Sequence, residues 1–198
     1  MESDNIVNID NLVLIHISKE MGEASDYFAN KRILFEFPRS GYGAYDQSHI
    51  VNIKNGYLGE LAFLEYLIKY LNEKHENLQP NERFDAMSKL GVSYELIIGR
   101  TQNYDFKINN KTVDVKTYGT KIIENKEEAL QYNLFIDVTQ HTTCDIYIQA
   151  FIMSTEVILA GYHIGVPKDI IESIPHPAHK CPVQKLEKIA NIFNDLQI

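Results

Sequence analysis

The feature that most constrains the fold is a pair of long apolar segments in the second half of the chain. Residues 145–154 and 156–164 are both rich in β-branched and aromatic side chains, and a single residue, Thr155, separates them. Strands with apolar stretches of this length are typical of a sheet that is buried on both faces. The two segments therefore predict a central sheet that other elements cover.

Other segments supply the rest of an α/β fold. Residues 56–71 place apolar side chains at helical spacing and predict an amphipathic helix. Residues 38–55 are rich in Gly, Tyr, Ser and Asn and predict a loop, whereas residues 183–196 predict a closing helix. Six further segments are predicted to be strands: residues 12–17, 32–37, 94–99, 104–108, 111–117 and 132–138. The predicted fold class is α/β, a central mixed β-sheet flanked by helices.

Composition excludes several classes of protein. Hydrophobic residues make up 44% and charged residues 23%, the balance of an ordinary globular chain. No apolar run approaches the roughly 18 residues of a membrane span, and two cysteines, Cys144 and Cys181, give no disulfide framework. We therefore expect a cytoplasmic protein with no membrane partner. The net charge of -8 argues against general coating of polyanions, so any nucleic-acid site has to be local.

A predicted hairpin brings two aspartates together. If Asn109 and Asn110 form a two-residue turn, counting outward along both strands places Asp105 directly opposite Asp114. Strand alternation then separates an apolar face from a polar face. The polar face carries Asp105, Lys107, Thr112, Asp114 and Lys116.

The polar face suggests a chemistry. Opposed side chains have Cβ atoms about 4.5–5.5 Å apart, and like charges there destabilise a hairpin. A divalent cation between Asp105 and Asp114 reverses this effect, and carboxylate oxygens are ligands that Mg²⁺ accepts. Lys116 follows on the same face, where its ammonium group can orient water or stabilise charge on a phosphate. The pattern indicates metal-assisted phosphodiester hydrolysis.

Glu60 supplies a third carboxylate. It lies on the apolar side of the predicted helix, with Phe63, Leu64 and Leu67 at i+3, i+4 and i+7. A carboxylate that points inward needs a partner, and a metal is one such partner. The alternative interpretation is a carboxylate near the start of the helix, where the helix dipole favours negative charge.

These residues resemble the PD-(D/E)xK nuclease superfamily, which includes many restriction endonucleases. The match is Glu60 on the first helix, Asp105 opening one strand, and Asp114 followed by Lys116 on the next. Tyr104 stands where the family has proline, and Asp114 where glutamate is more usual. The resemblance implies that Glu60, Asp105 and Asp114 bind Mg²⁺, with Mn²⁺ as a substitute. It also implies that Lys116 is the catalytic lysine.

The resemblance implies a restriction-endonuclease-like core within a single nuclease-like domain, for which 198 residues are sufficient. Residues 1–55 then form an N-terminal extension and loop, residues 56–165 the catalytic core, and residues 166–198 a C-terminal loop and helix. The expected activity is that of a Mg²⁺-dependent nuclease acting on DNA. RNA as substrate, a homo-oligomer and a protein partner are left open.

Four alternatives compete with this interpretation, one of which is an ordinary interaction domain that binds no metal. A second triplet, Asp105 and Lys107 with Glu95 as the partner acid, offers another register for the same motif. The polar face can also be a solvated surface in which lysines screen the acids. Finally, a catalytically silent protein of the nuclease fold can bind nucleic acid or a partner protein, and the acidic net charge favours a protein partner.

A histidine and cysteine cluster near the end of the chain superficially suggests zinc. His176, His179 and Cys181 lie within six residues, and His163 is a potential fourth ligand. Structural zinc normally has four ligands in two spaced pairs. Because three prolines interrupt this stretch, an irregular loop is the simpler interpretation.

Overall fold

The computed structural model describes residues 6–36, 47–79, 82, 93–94, 104–118, 121–138, 143–171 and 177–198. Its strands are β1 (Val13–His16), β2 (Ser93–Tyr94), β3 (Phe106–Ile108), β4 (Lys111–Thr117), β5 (Asn133–Asp137), β6 (Ile146–Ile152), β7 (Glu156–Ile164), β8 (Asp169–Ile171) and β9 (Ala178–Pro182). Its helices are α1 (Lys19–Glu36), α2 (Gln47–Lys74), α3 (Lys126–Ala129) and α4 (Ile192–Asp195).

The strands form two sheets. The larger sheet has the order β1-β7-β6-β4-β3-β2, and the smaller one has the order β5-β9-β8. In the larger sheet β4 and β6 run parallel, whereas the other neighbours are antiparallel. The predicted α/β fold with a mixed sheet is therefore confirmed, with β6 and β4 at the centre of the larger sheet and β7 beside β6.

Two apolar cores cover the two faces of the larger sheet. On one face α2 packs against β4, β6 and β7, and α1 packs against α2. This core contains Ala62 and Phe63 of α2 together with Val113 and Val115 of β4. The second core joins the opposite face of the sheet to β5 and β9. Both faces of β6 and β7 are buried, as their continuous apolar sequence predicts.

Several sequence predictions are wrong in part. The C-terminal loop expected after residue 165 contains the strands β8 and β9. Residues 32–36, predicted as a strand, belong to α1, because helix packing overrides the β propensity of a short apolar run. Residues 47–55, predicted as a loop, form the first turns of α2, so the helix predicted for residues 56–71 is confirmed and longer. The closing helix over residues 183–196 is replaced by two 3₁₀ turns and the short α4.

The break in the closing helix has a local cause. Glu187 forms an isolated β-bridge with Tyr162, and its N–H donates to the Tyr162 carbonyl at 2.8 Å. Extended backbone at this point prevents a continuous helix, yet Leu186, Ile189 and Phe193 are still buried. The apolar pattern thus correctly predicts a buried face, but the prediction of one continuous helix is wrong.

Other predictions concern residues that lie partly or wholly outside the part of the chain that the structure describes. Of the strand predicted over residues 94–99, only Tyr94 is described, in β2. The predicted loop at residues 38–46 lies outside the described residues. Within the parts of the chain that the structure describes, no helix is long and apolar enough to cross a membrane.

Candidate active site

The hairpin between β3 and β4 has the predicted turn and register. Asn109 and Asn110 have φ angles of 46° and 66°, and two successive positive values are the signature of a tight type I′ hairpin turn. Ile108 pairs with Lys111, and the pairing continues to Phe106. Asparagine tolerates this conformation better than most side chains, which is why the turn could be read from the sequence.

Asp105 departs from the predicted pairing. Its N–H donates to the carbonyl of Val113 at 2.9 Å, although Val113 is already paired with Phe106. The Asp105 side chain turns toward β4, where its Oδ2 atom accepts the Val115 N–H at 2.7 Å. The ladder is therefore irregular at Asp105, and the prediction that it directly faces Asp114 is wrong. Such local irregularity is not visible in a count of residues.

Asp114 and Lys116 form the centre of the site. Val113 and Val115 point into the core beneath α2, so Asp114 and Lys116 lie on the opposite face of β4. The Lys116 ammonium group contacts Asp114 Oδ2 at 2.7 Å. Burial lowers the pKa of Lys116, but the charge of Asp114, the hydrogen bond to it and the charge of Asp105 outweigh burial and raise this pKa. The lysine is thus held in its charged form beside Asp114.

Glu60 approaches the site from α2. The neighbouring Gly59 allows α2 to lie very close to β4, because a Cβ atom on Gly59 would stand 2.2 Å from Thr117 Oγ1 and 3.4 Å from Val115 Cγ1. Glu60 is half-buried at this contact, and its charge acts directly on Asp105. The predicted inward direction of Glu60 therefore agrees with its electrostatic influence on Asp105.

Two buried carboxylates and the half-buried Glu60 create an excess of negative charge at this site. Asp105 and Asp114 are 9% and 6% exposed. Burial raises the pKa of Asp105 well above its usual range, and the charges of Glu60 and Asp114 raise it further. The hydrogen bond from Val115 and the charge of Lys116 act in the opposite direction without compensating. A cation would favour the ionised form of Asp105.

No ready-made metal cage is present among the residues that the structure describes, since no group of three or more His, Cys, Asp or Glu side chains is arranged to hold an ion. The donor chemistry nevertheless fits Mg²⁺. This ion takes oxygen ligands and usually keeps several waters, so one or two carboxylates are enough. Asp105 and Asp114 are the two candidates from the strands, and Glu60 is a candidate for a more distant ligand.

Two residues that sequence reasoning missed adjoin this centre. Gln149 of β6 is in register with Lys116 across the parallel pair, and its Nε2 atom donates to the Lys116 carbonyl at 3.0 Å. Cys144 is buried nearby, where burial and the charge of Asp114 raise the pKa of its thiol to about 12. The sequence signal for Gln149 was a single amide in an otherwise apolar and aromatic strand.

The residues of the alternative motif and of the suggested zinc cluster lie in less favourable positions for binding a metal. Lys107 is exposed, and Glu95 lies outside the described residues. Cys181 is buried in the second core, whereas the Nδ1 atom of His163 lies 2.9 Å from the Gly165 carbonyl, a contact within its own turn. His176 lies outside the described residues, whereas His179 and Cys181 belong to β9, so the irregular loop expected at this cluster is wrong for Ala178–Pro182.

No family model matches the chain, and comparisons with curated proteins and with solved structures find no match. The functional interpretation therefore depends on the geometry of the site and on the motif that carries the resemblance.

Proposed function

We propose that the protein is a Mg²⁺-dependent nuclease with a restriction-endonuclease-like core, and that it hydrolyses phosphodiester bonds in DNA. The observation that carries this proposal is the pairing of Asp114 with Lys116 at 2.7 Å beside the buried Asp105. Two acids and a lysine on adjacent strands are the elements that the PD-(D/E)xK motif requires. A further acid, Glu60 of α2, supports the proposal because its charge raises the pKa of Asp105.

Each residue has a distinct role in this proposal. Asp105 and Asp114 would hold Mg²⁺, with Mn²⁺ as a substitute, and Glu60 would assist from the helix. Bound Mg²⁺ supplies Lewis-acid polarisation of the phosphate and of water. Lys116 is a hydrogen-bond donor in a fixed position, so it can orient the attacking water or stabilise the charge that develops on the phosphate oxygens.

The Asp114–Lys116 ion pair also explains how the buried charge of Asp114 is stabilised when no cation is bound. The ammonium group partly compensates the buried carboxylate, which would otherwise be costly to desolvate. A cation held by Asp114 would take over part of this compensation, and Lys116 would remain beside it as a hydrogen-bond donor. The same side chain thus serves in both states of the site.

The test is cleavage of linear, circular and single-stranded DNA and of RNA by the purified protein. We expect cleavage with Mg²⁺ or Mn²⁺, loss of cleavage with chelator, and little turnover with Ca²⁺, whose larger radius and looser coordination fit the reaction poorly. Cleavage that persists in excess chelator would contradict the metal mechanism.

Lysine variants make this test specific to the site. Lys116→Ala should lower kcat by about 10²-fold, the scale of losing a positioned electrostatic group. Lys107→Ala is the matched control, because Lys107 belongs to the neighbouring strand but is exposed, and its kcat should stay within about twofold. The opposite result, an inactive Lys107→Ala and an active Lys116→Ala, would assign the motif to the other triplet.

A catalytically silent protein of the same fold is the second candidate. It is favoured by the ion pair itself, which neutralises Asp114 without any metal. Such a protein would cleave none of the four substrates with any cation. Nucleic-acid binding without cleavage, measured by gel shift, would support this candidate.

A further inference from the structure

Gln149 is a buried amide in the middle of β6. The side chain is only 2% exposed, and the rest of the strand is apolar or aromatic. Removing an amide from water is unfavourable unless its hydrogen bonds are replaced. The hydrogen bonds of Gln149 therefore indicate its structural role.

The side-chain amide of Gln149 donates hydrogen bonds to the backbone of two adjacent strands, β4 and β6. Its Nε2 atom donates to the Lys116 carbonyl at 3.0 Å and to the Ala150 carbonyl at 2.8 Å. Ala150 also accepts the Tyr118 N–H at 3.3 Å. One amide thus connects β4 to β6 at Lys116, the residue with which Gln149 is in register.

The sheet is irregular at this same point. The register between β6 and β7 shifts between Gln149 and Ala150, so Ala160 is the extra residue of a β-bulge. A bulge interrupts the regular hydrogen bonding of its strands. It can also change the direction of a neighbouring side chain. The bulge lies in the β6–β7 pairing, and the Gln149 amide adds a bond on the other side of β6, toward β4.

The direction of the side chain links Gln149 to the candidate active site. Ile148 and Ala150 point into the core beneath α2, so Gln149 lies on the opposite face of the sheet. Asp114 and Lys116 lie on that face too, on the adjacent strand. The amide is therefore next to the ammonium-bearing residue and not on the far side of the sheet.

We propose that Gln149 is a positioning residue for Lys116. It fixes the Lys116 backbone and thereby the position from which the ammonium group contacts Asp114. This inference rests on the proposed nuclease function. Ion pairs and hydrogen bonds weaken steeply with misplacement, so small shifts of this backbone should reduce turnover without removing the substrate site.

The experiment compares Gln149→Met with Ile148→Val in the full chain. Methionine keeps the length of the side chain but removes the two donated hydrogen bonds, whereas Ile148→Val perturbs the same strand on its other face. We expect Gln149→Met to lower kcat about tenfold, the lower range for residues that orient a ligand, with KM within about twofold. Ile148→Val should retain wild-type kcat.

A second readout does not depend on cleavage. The NMR signal of the Lys116 ammonium group, assigned by its loss in Lys116→Ala, should move in Gln149→Met and stay in place in Ile148→Val. If Gln149→Met does not fold, Gln149→Asn replaces it, since the shorter amide cannot reach both carbonyls.

The two proposals fail in different ways. A wild-type protein that cleaves nothing contradicts the nuclease function, and the NMR comparison alone then decides the positioning role. An unchanged Lys116 signal together with wild-type kcat in the Gln149 variants would overturn the positioning role while leaving the nuclease intact.

Discussion

At the scale of single residues, the buried Asp105 is the most informative group. Its carboxylate accepts one backbone hydrogen bond from Val115, but burial and the charges of Glu60 and Asp114 oppose its ionisation. Asp114, in contrast, has the ammonium group of Lys116 as a direct partner. The unfavourable charge in the metal-free protein is therefore concentrated at Asp105.

Replacing Asp105 should stabilise the metal-free protein. Asp105→Asn removes the charge and keeps an oxygen that can accept the Val115 N–H. We expect its Tm in chelator at pH 7 to rise by about 2–4 °C, which corresponds to about 1 kcal/mol for a chain of this size. Thermal unfolding measures the difference, and Asp10→Asn, at an exposed position, is the control that should change little.

The same residue gives the protein a defined pH dependence. The pKa of Asp105 is higher in the folded than in the unfolded chain, where it is about 3.9, so the folded state gains stability as the pH falls through the folded pKa. Metal-free wild type should become more stable on acidification from neutral pH, and Asp105→Asn should show a smaller gain. Identical pH profiles of the two proteins would mean that the surroundings of Asp105 do not raise its pKa in the folded state.

At the scale of elements, the contact between α2 and β4 places the helix carboxylate at the strands. Gly59 makes this contact, and Thr117 Oγ1 fills the space where a side chain would lie. Glu60 follows directly in the helix. The distance between helix and strand therefore determines how strongly Glu60 acts on Asp105.

Two glycines of α2 provide a matched test of this contact. Gly59→Ala brings a methyl group against Thr117 and should destabilise the protein by about 1–3 kcal/mol, as overpacking does. Gly56→Ala meets nothing within 4 Å and should stabilise the helix by up to about 1 kcal/mol. Chemical denaturation measures both changes. If Gly59→Ala is as stable as Gly56→Ala, α2 does not lie against β4 as described.

The elements also show where sequence reasoning succeeds. The turn at Asn109 and Asn110 and the strand Lys111–Thr117 follow from local signals, and so does the placement of Asp114 beside Lys116. The helix at residues 32–36 does not, because a short apolar run fits a strand or a helix and packing decides.

Features that depend on distant contacts were also missed. The irregular pairing at Asp105 and the amide contact of Gln149 arise from residues on neighbouring strands. The backbone at Glu187 is extended because it pairs with Tyr162, which is far away in sequence. None of these partners can be identified from local periodicity.

At the scale of the whole molecule, the last turns of the chain close the core around the hairpin. Phe193 of α4 stacks on Tyr70 of α2 with ring centroids 3.7 Å apart. The Lys111 ammonium group donates to the Asp195 carbonyl at 2.6 Å, and the Asn109 side chain donates to the Leu196 carbonyl at 3.2 Å. This segment connects α2 to the hairpin that carries the site.

Removing the central aromatic ring should therefore affect the whole molecule. Phe193→Ala deletes a buried ring and should lower the free energy of unfolding by about 3–5 kcal/mol. Phe135→Ala is the control, because Phe135 of β5 is 36% exposed and its loss should cost less than half as much. Denaturant titration compares them. Equal losses would show that the C-terminal segment does not stabilise the fold.

The proposed metal site requires that a divalent cation binds between Asp105 and Asp114. The direct measurement is the rise in Tm caused by Mg²⁺ or Mn²⁺ in wild type, Asp105→Asn, Asp114→Asn and Glu60→Gln. A ligand that binds only the folded state at 100 times its Kd stabilises it by about 2.7 kcal/mol. We predict a clear rise in wild type, little or none in the two aspartate variants, and a reduced rise in Glu60→Gln. The same response to metal in all four proteins would contradict the proposed metal site.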